Sequence, residues 1–371
     1  MAEPIAVLQL VNQFAIGGAE SQFVERLRRH PPGFRPVVAC LKREGPLLSV
    51  VEKDLNLLVE EFPLRGSLRS ANTAWQIVQL AALMRREEVK LVHAQDFYSN
   101  VLAVPAARLA RVKVVASRFD LGHWYSGAMY RIEKLASRGA DAVYVNATAV
   151  RDLCVHREGI DPTSIVVVRN GIDLAHVDAE LKRPLDPPVE IADGPSVAVI
   201  ANFHPIKGHL DLCDAIYEVK KRVPTLCVYC AGAGPMLPAV RARLRELGLE
   251  ENVVLLGHRR DCVRLLGKVR LAVLASHAEG LSNAIIEAMA ARLPVVATNV
   301  GGNGELVEDG VSGFVVPSRD PQAMAHRIVD VLEDRERARA MGENGRHRVE
   351  QELTLERMSE RTAEVYRRVL H

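Results

Sequence analysis

The chain has 371 residues, 48% of them apolar and 25% charged, with a formal net charge of +2. That length is too great for one ordinary core and suits two domains, while the near-neutral balance gives no ground for a nucleic-acid partner. The acidic start Met1-Ala2-Glu3-Pro4 and the short apolar run Ile5 to Val11 fit neither a signal peptide nor a membrane span, so a cytoplasmic protein is expected.

From the start, short β-rich runs alternate with helical spacing. The expected strands are Ile5 to Val11, Val37 to Lys42, Leu91 to Gln95, Val112 to Ser117, Ala142 to Ala147 and Ile165 to Arg169. Helical patterns fill Ala19 to His30, Asn72 to Glu88 and Tyr125 to Arg138. This alternation predicts a doubly wound α/β domain over residues 1–180. Residues 178–195 are rich in Pro and Asp without long apolar periodicity, the mark of a linker. A second series then runs through Val197 to Asn202, Leu226 to Ala231, Asn252 to Leu256, Leu271 to Ala275, Pro294 to Ala297 and Gly313 to Val316, predicting a second α/β domain over residues 196–350. Two such domains in tandem leave a cleft between the carboxyl ends of their sheets, where open α/β sheets bind ligands. From Glu333 the chain is charged and helical, with Met341, Leu353, Met358, Val365 and Val369 available for one-sided packing. The six cysteines are scattered, and Cys227 and Cys230 are expected to be core thiols rather than redox or zinc ligands.

Several loops carry chemistry-bearing residues. Gly17 and Gly18, between the first strand and its helix, permit close approach of amides to a phosphate, although such a pair is more often only a tight turn. Lys207, beside Gly208, can set an ammonium on a diphosphate or stand solvated at a turn. Gly232 and Gly234 lack the third glycine of a dinucleotide fingerprint, which disfavours a nicotinamide dehydrogenase. Glu279 lies in the loop after Leu271 to Ala275, and Ser282 is a good N-cap for a helix whose apolar side is Ile285, Ile286 and Met289. Glu287 falls just over one turn into that helix. By spacing alone, two solvated glutamates near a helix start are the plainer reading. No loop Asp-x-Asp is present and the histidines show no ligand spacing, so neither metal nor cofactor is expected.

The window Ser276-His277-Ala278-Glu279-Gly280 through Glu287-Ala288-Met289-Ala290 continues with Pro294-Val295-Val296-Ala297-Thr298, Gly301-Gly302, Glu305, Asp309-Gly310 and Gly313. It resembles the Glu-x7-Glu signature of the retaining glycosyltransferases of family 4 type, the glycosyl transferases group 1, including bacterial exopolysaccharide and lipopolysaccharide members. Gly17-Gly18-Ala19-Glu20 resembles that family's GGAE loop. Lys207-Gly208 is similar to its diphosphate clamp, Gly234-Pro235 to its G.GP loop and Asn170-Gly171-Ile172-Asp173 to its NGID turn.

The resemblance implies a GT-B fold, with two Rossmann-like doubly wound domains facing a central cleft and a C-terminal helix, residues 351–371, crossing back to the first domain. It implies metal-independent, retaining transfer of a sugar from a UDP-, GDP- or ADP-linked donor to a saccharide or lipid-linked acceptor. The setting implied is cell-surface polysaccharide or glycolipid synthesis, with peripheral contact at the inner face of the cytoplasmic membrane through the N-terminal domain. Catalytic roles fall to Glu279, beside the transferred sugar, and Lys207, at the leaving diphosphate. Glu287 takes the ribose, and amides of Gly280, Leu281, Ser282 and Asn283 take sugar hydroxyls and phosphate. Gly17, Gly18 and Gly234 line the donor, with Arg259 near the base. Two departures stand out. Asn202 occupies the place of the clamp arginine, leaving His204, Arg259 and Arg260 as candidate cations. Phe119 occupies the place of a histidine beside Asp120, with His123 nearby. Asp96 and Tyr98 complete the acceptor side. The alternatives are a nucleotide-sugar epimerase of the same fold and a non-catalytic sugar-nucleotide-binding protein.

Overall fold

The computed structural model describes residues 3–371, which form two compact units: residues up to 171 together with 355–371, and residues 172–354. In the first unit β1 (Ile5–Val11), β2 (Phe34–Cys40), β3 (Val59–Glu61), β4 (Leu91–Ala94), β5 (Lys113–Arg118), β6 (Ala142–Val145) and β7 (Ile165–Val167) make one parallel sheet ordered 3-2-1-4-5-6-7. Strand alternation assigns its two faces. Leu8 and Leu10 enter a cluster with Leu80, Met84, Leu102 and Ala106, whereas Val7 enters one with Met358, Val365 and Tyr366. Both faces are therefore buried, and the strands read as apolar runs. The helices of this unit are α1 (Gly18–Arg28), α2 (Ala71–Arg86), α3 (Phe97–Ala110), α4 (Gly127–Gly139), α5 (Thr148–His156) and the C-terminal helix Leu355–Leu370. That last helix buries Met358, Thr362, Val365, Tyr366 and Val369, a spacing that lines one face.

The second unit holds β8 (Ser196–Ile200), β9 (Cys227–Ala231), β10 (Val253–Gly257), β11 (Leu271–Leu274), β12 (Val295–Thr298) and β13 (Gly313–Val316), all parallel and ordered 10-9-8-11-12-13. Its helices are α6 (Leu174–Glu180), α7 (His209–Arg222), α8 (Leu237–Glu246), α9 (Cys262–Leu266), α10 (Asn283–Ala290), α11 (Asn303–Leu306), α12 (Pro321–Glu333) and α13 (Arg335–Glu352). The segment expected as a linker is held within this unit. Asp178, on α6, receives both Arg346 Nη atoms at 2.8 Å, Glu180 receives Arg264 Nε at 2.6 Å, and Ala192 donates its amide to Tyr229 Oη at 2.9 Å. Among the described residues, no helix is long and apolar enough to cross a membrane.

In each sheet, one pair of neighbouring strands sends its connections off in opposite directions. The pairs are β1 and β4 in the first unit and β8 and β11 in the second. The crevice beyond the carboxyl ends of such a pair is where open α/β sheets take ligands.

Candidate functional site

The loops leaving β8 and β11 meet at the second unit's crevice. Residues 205–207 form a single 3-10 turn after β8, and Gly208, at φ 65°, starts α7. A Cβ on Gly208 would lie 2.0 Å from Ala275 O, so only glycine lets the two loops approach this closely. Across that contact, Lys207 Nζ lies 2.6 Å from Glu279 Oε1, which also receives Ser276 Oγ at 2.6 Å. The Glu279 side chain is 11% exposed and that of Lys207 26%, so the pair is half withdrawn from water but still reachable. Ser276 is in turn fixed by its carbonyl, which accepts from Thr298 Oγ1 at 2.6 Å.

Close backbone packing shapes the rest of the crevice. Gly302 donates its amide to Gly280 O at 2.7 Å, and a Cβ on Gly301 would fall 1.8 Å from Glu279 O. Gly232 and Gly234 likewise press on the carbonyls of Ala201 and Phe203, where a Cβ would come within 2.1 and 2.5 Å. Asn202 is exposed on that loop, between two buried neighbours. Ser282 caps α10, its Oγ accepting the Ile285 amide at 3.4 Å, with Leu281 buried and Asn283 half-buried beside it. Glu287 is half-buried one turn further on. Burial pushes its carboxyl up to about 7, and among the described residues no charged or donor group opposes that shift.

Arg259 differs from its expectation as a donor-facing cation. Its side chain is 2% exposed and its guanidinium is spent on Asp261, at 2.8 and 2.6 Å, and on Pro187 O at 2.8 Å. Burial raises the Asp261 carboxyl, but Arg259 and the Asp186 amide outweigh it and hold the group below its usual range. Arg259 therefore organises the loop after β10, and the exposed His204 and Arg260 are the cations left on the surface.

In the first unit, the crevice between β1 and β4 holds Gly17, Gly18, Glu20 and Asp96. Gly17 is the N-cap of α1, and a Cβ there would meet Glu20 Oε2 at 2.3 Å, so the glycine makes room for that carboxylate. Burial raises the Glu20 carboxyl, and Asp96 nearby adds to the shift. Asp96 is turned to the backbone rather than outward. It caps α3 by accepting the Tyr98 and Ser99 amides at 3.0 and 3.1 Å, and its other oxygen accepts the Asn12 amide at 2.8 Å. Burial raises the Asp96 carboxyl despite these donors. Asp120 is similarly engaged by its own loop, accepting from the Gly122 amide at 2.6 Å and Trp124 Nε1 at 2.9 Å. Tyr98 and His123 are exposed. Phe119 packs edge-on against Tyr144 at 5.9 Å and under Arg26 at 5.7 Å, a core contact for the residue standing in the histidine position.

Beneath this crevice lie polar groups that the sequence alone does not reveal. His93 is fully buried, with Nδ1 2.7 Å from Tyr366 Oη and Nε2 2.8 Å from Ser117 Oγ, and burial followed by Arg26 keeps its pKa well below the usual value. Arg118 is buried with two carboxylates, Glu158 at 2.7 Å and Glu133 at 3.8 Å. Burial lifts Glu133 to about 7 against the pull of Arg118 and Asn100. Among the described residues no three His, Cys, Asp or Glu side chains converge as a metal site would require, and all six cysteines are free thiols, four of them buried.

Comparison with known proteins gives these sites a context. Residues 16–176 match the family model described as Glycosyltransferase Family 4, and residues 194–334 match Glycosyl transferases group 1. The chain is 27% identical over 287 residues to a glycogen synthase of Mycobacterium tuberculosis, covering 74% of this chain and 68% of that protein. It is 25% identical over 277 residues to an Escherichia coli UDP-Gal:alpha-D-GlcNAc-diphosphoundecaprenol alpha-1,3-galactosyltransferase, covering 70% of each. Among solved structures, Anabaena Alr3699/HepE in complex with UDP-glucose superposes with a TM-score of 0.87 at 22% identity, over 98% of this chain and 100% of that one. Its structural neighbours are GT-B glycosyltransferases, and the two parallel sheets described above are the Rossmann-like units of that fold.

Proposed function

The chain belongs to the glycosyl transferases group 1, family 4 type, and on that premise we propose that it moves a sugar from a nucleoside diphosphate to a hydroxyl acceptor with retention of anomeric configuration. The observation that carries this reading is the contact of Lys207 with Glu279 at the β8/β11 crevice, a cation and a carboxylate brought together by two loops 72 residues apart. In this reading Lys207 and the start of α10 meet the charge on the departing diphosphate, so that no metal ion is needed. Glu279 orients the sugar hydroxyls and stabilises positive character at the anomeric carbon. Glu287 accepts from the ribose. Backbone amides of Gly280, Leu281, Ser282 and Asn283 bind hydroxyls and phosphate, with Gly17, Gly18 and Gly234 lining the donor.

The bond from the anomeric carbon to the phosphate oxygen breaks as the bond to the acceptor oxygen forms on the same face, and the acceptor proton passes to the leaving diphosphate oxygen. Retention accords with the state of the first-unit groups expected near the acceptor. Asp96 and Asp120 are engaged by their own loops, and Phe119 replaces the histidine. An acceptor that is a saccharide or lipid-linked saccharide, as the Escherichia coli relative's name describes for that protein, accords with cell-surface polysaccharide or glycolipid synthesis and with peripheral contact at the inner face of the cytoplasmic membrane.

A thermal-shift panel of UDP, GDP, ADP and their sugars identifies the donor, since a ligand at a hundred times its dissociation constant adds about 2.7 kcal/mol to stability. NMR of the first-formed product from an α-linked donor then tests the stereochemistry. An α-linkage is expected, and a β-linkage overturns the reading, as does loss of activity in excess chelator that magnesium restores.

A further inference from the structure

His277 follows Ser276 on the β11 loop and makes two contacts that the Lys207–Glu279 pair does not explain. Its amide donates to Ile206 O at 2.7 Å, on the turn that carries Lys207. Its Nε2 lies 2.8 Å from Asp211 Oδ2, in the first turn of α7. A Cβ on Gly208 would stand 3.2 Å from that same Nε2, so the ring also closes over the glycine between the turn and the helix. The plainer account is that Asp211 complements the positive end of α7 and His277 merely bonds to it near the surface, each worth little. That account does not explain why the two contacts, a backbone one to Ile206 and a side-chain one to Asp211, fall on either side of Lys207 and Gly208.

We propose that His277 is a positioning residue: with Asp211 it fixes the turn that presents Lys207, so that the ammonium stands where the diphosphate departs. This rests on the transfer reaction proposed above. The bond from the His277 amide survives replacement by alanine, whereas the imidazole bridge to α7 does not. Losing the bridge frees the turn to swing with its helix, and a displacement of about 1 Å near a reacting centre can cost as much as a hundredfold in rate.

The test measures release of nucleoside diphosphate from UDP-glucose, GDP-mannose and ADP-glucose, with water as acceptor, in the chain of 371 residues. His277→Ala is expected to lower kcat by about tenfold, and His277→Gln, which keeps a side-chain donor for Asp211, to restore most of it. In a Lys207→Ala background, His277→Ala should change kcat by less than about twofold, because the group it positions is gone. Unchanged kcat in His277→Ala, or the same factor in both backgrounds, overturns the proposal. Wild-type protein that neither binds nor hydrolyses any of these donors defeats the transfer reading itself, and the positioning role falls with it.

Discussion

Lys207 Nζ and Glu279 Oε1 are 2.6 Å apart although their loops leave different strands, and Glu279 is held from behind by Ser276. An ammonium in this position already has one carboxylate partner, and a diphosphate that binds there must share it. In the proposed reaction the pair is a charge held in readiness, oriented before the donor arrives.

Removing that charge is expected to cost turnover. Lys207→Ala should lower kcat by about a hundredfold at saturating donor, in line with the loss of one electrostatic stabiliser from a partly desolvated site. Steady-state kinetics decides it, and near-wild-type kcat would remove Lys207 from the chemistry.

The second carboxylate predicts a pH signature. Burial lifts Glu287 from 4.5 to about 7, so the folded chain holds that proton more tightly than the unfolded chain does. The stability it contributes is present in full below pH 4.5 and is lost as pH rises through about 7. Glu287→Gln should flatten this decline in thermal scans across that window. If the carboxylate accepts from the ribose, donor KM rises as pH falls below about 7 in the wild type. In the variant KM is high at every pH, with kcat little changed. A loss confined to kcat would move Glu287 from binding to chemistry.

Asn202 is exposed at the position of the clamp arginine, and Arg259 is unable to replace it. Asn202→Arg should therefore tighten nucleoside diphosphate binding by about tenfold, the worth of one added charge-assisted hydrogen bond. Calorimetry with UDP and GDP measures this. Unchanged affinity would mean that another cation, His204 or Arg260, already occupies the place.

Arg118 faces Glu158 at 2.7 Å and Glu133 at 3.8 Å in the core of the first unit. Arg118→Met leaves both carboxylates buried without a counter-ion and should destabilise that unit by about 3–5 kcal/mol. Both tryptophans, Trp75 and Trp124, lie in this unit, so urea titration followed by their fluorescence reports on it selectively. A midpoint shift worth less than about 1 kcal/mol would mean that the buried carboxylates do not depend on Arg118 as their counter-ion.

Much of the architecture was legible because parallel strands buried on both faces are plain apolar runs. Gly313–Val316 falls where its run predicts, and each of the other strands of the second unit overlaps its run. The strand Val59–Glu61 escaped notice because three residues show no period and its neighbour Leu58 is 92% exposed. Site residues were harder to read where a distant partner decides their role. Arg259 looks like a free loop cation until Pro187, far back in the chain, accepts its guanidinium. The spacing of Asp96 and Ser99 is itself a capping signal, and the structure uses it as one. His277 and Asp211 are 66 residues apart, and no local pattern joins them. Nor does helical spacing disclose that the surroundings of the half-buried Glu287 push its carboxyl up to about 7.

The helix Leu355–Leu370 closes one face of the first unit's sheet, although the chain leaves that unit at residue 171. During synthesis the early strands must wait, with Val7, Leu91 and Val115 uncovered on that face, while residues 172–354 are made. At ribosomal speed the delay is on the order of ten seconds or more. The second unit is continuous and suffers no such delay. It is therefore free to fold first, with the unit begun earlier finishing last, and the unfinished face is the surface a chaperone has reason to shield.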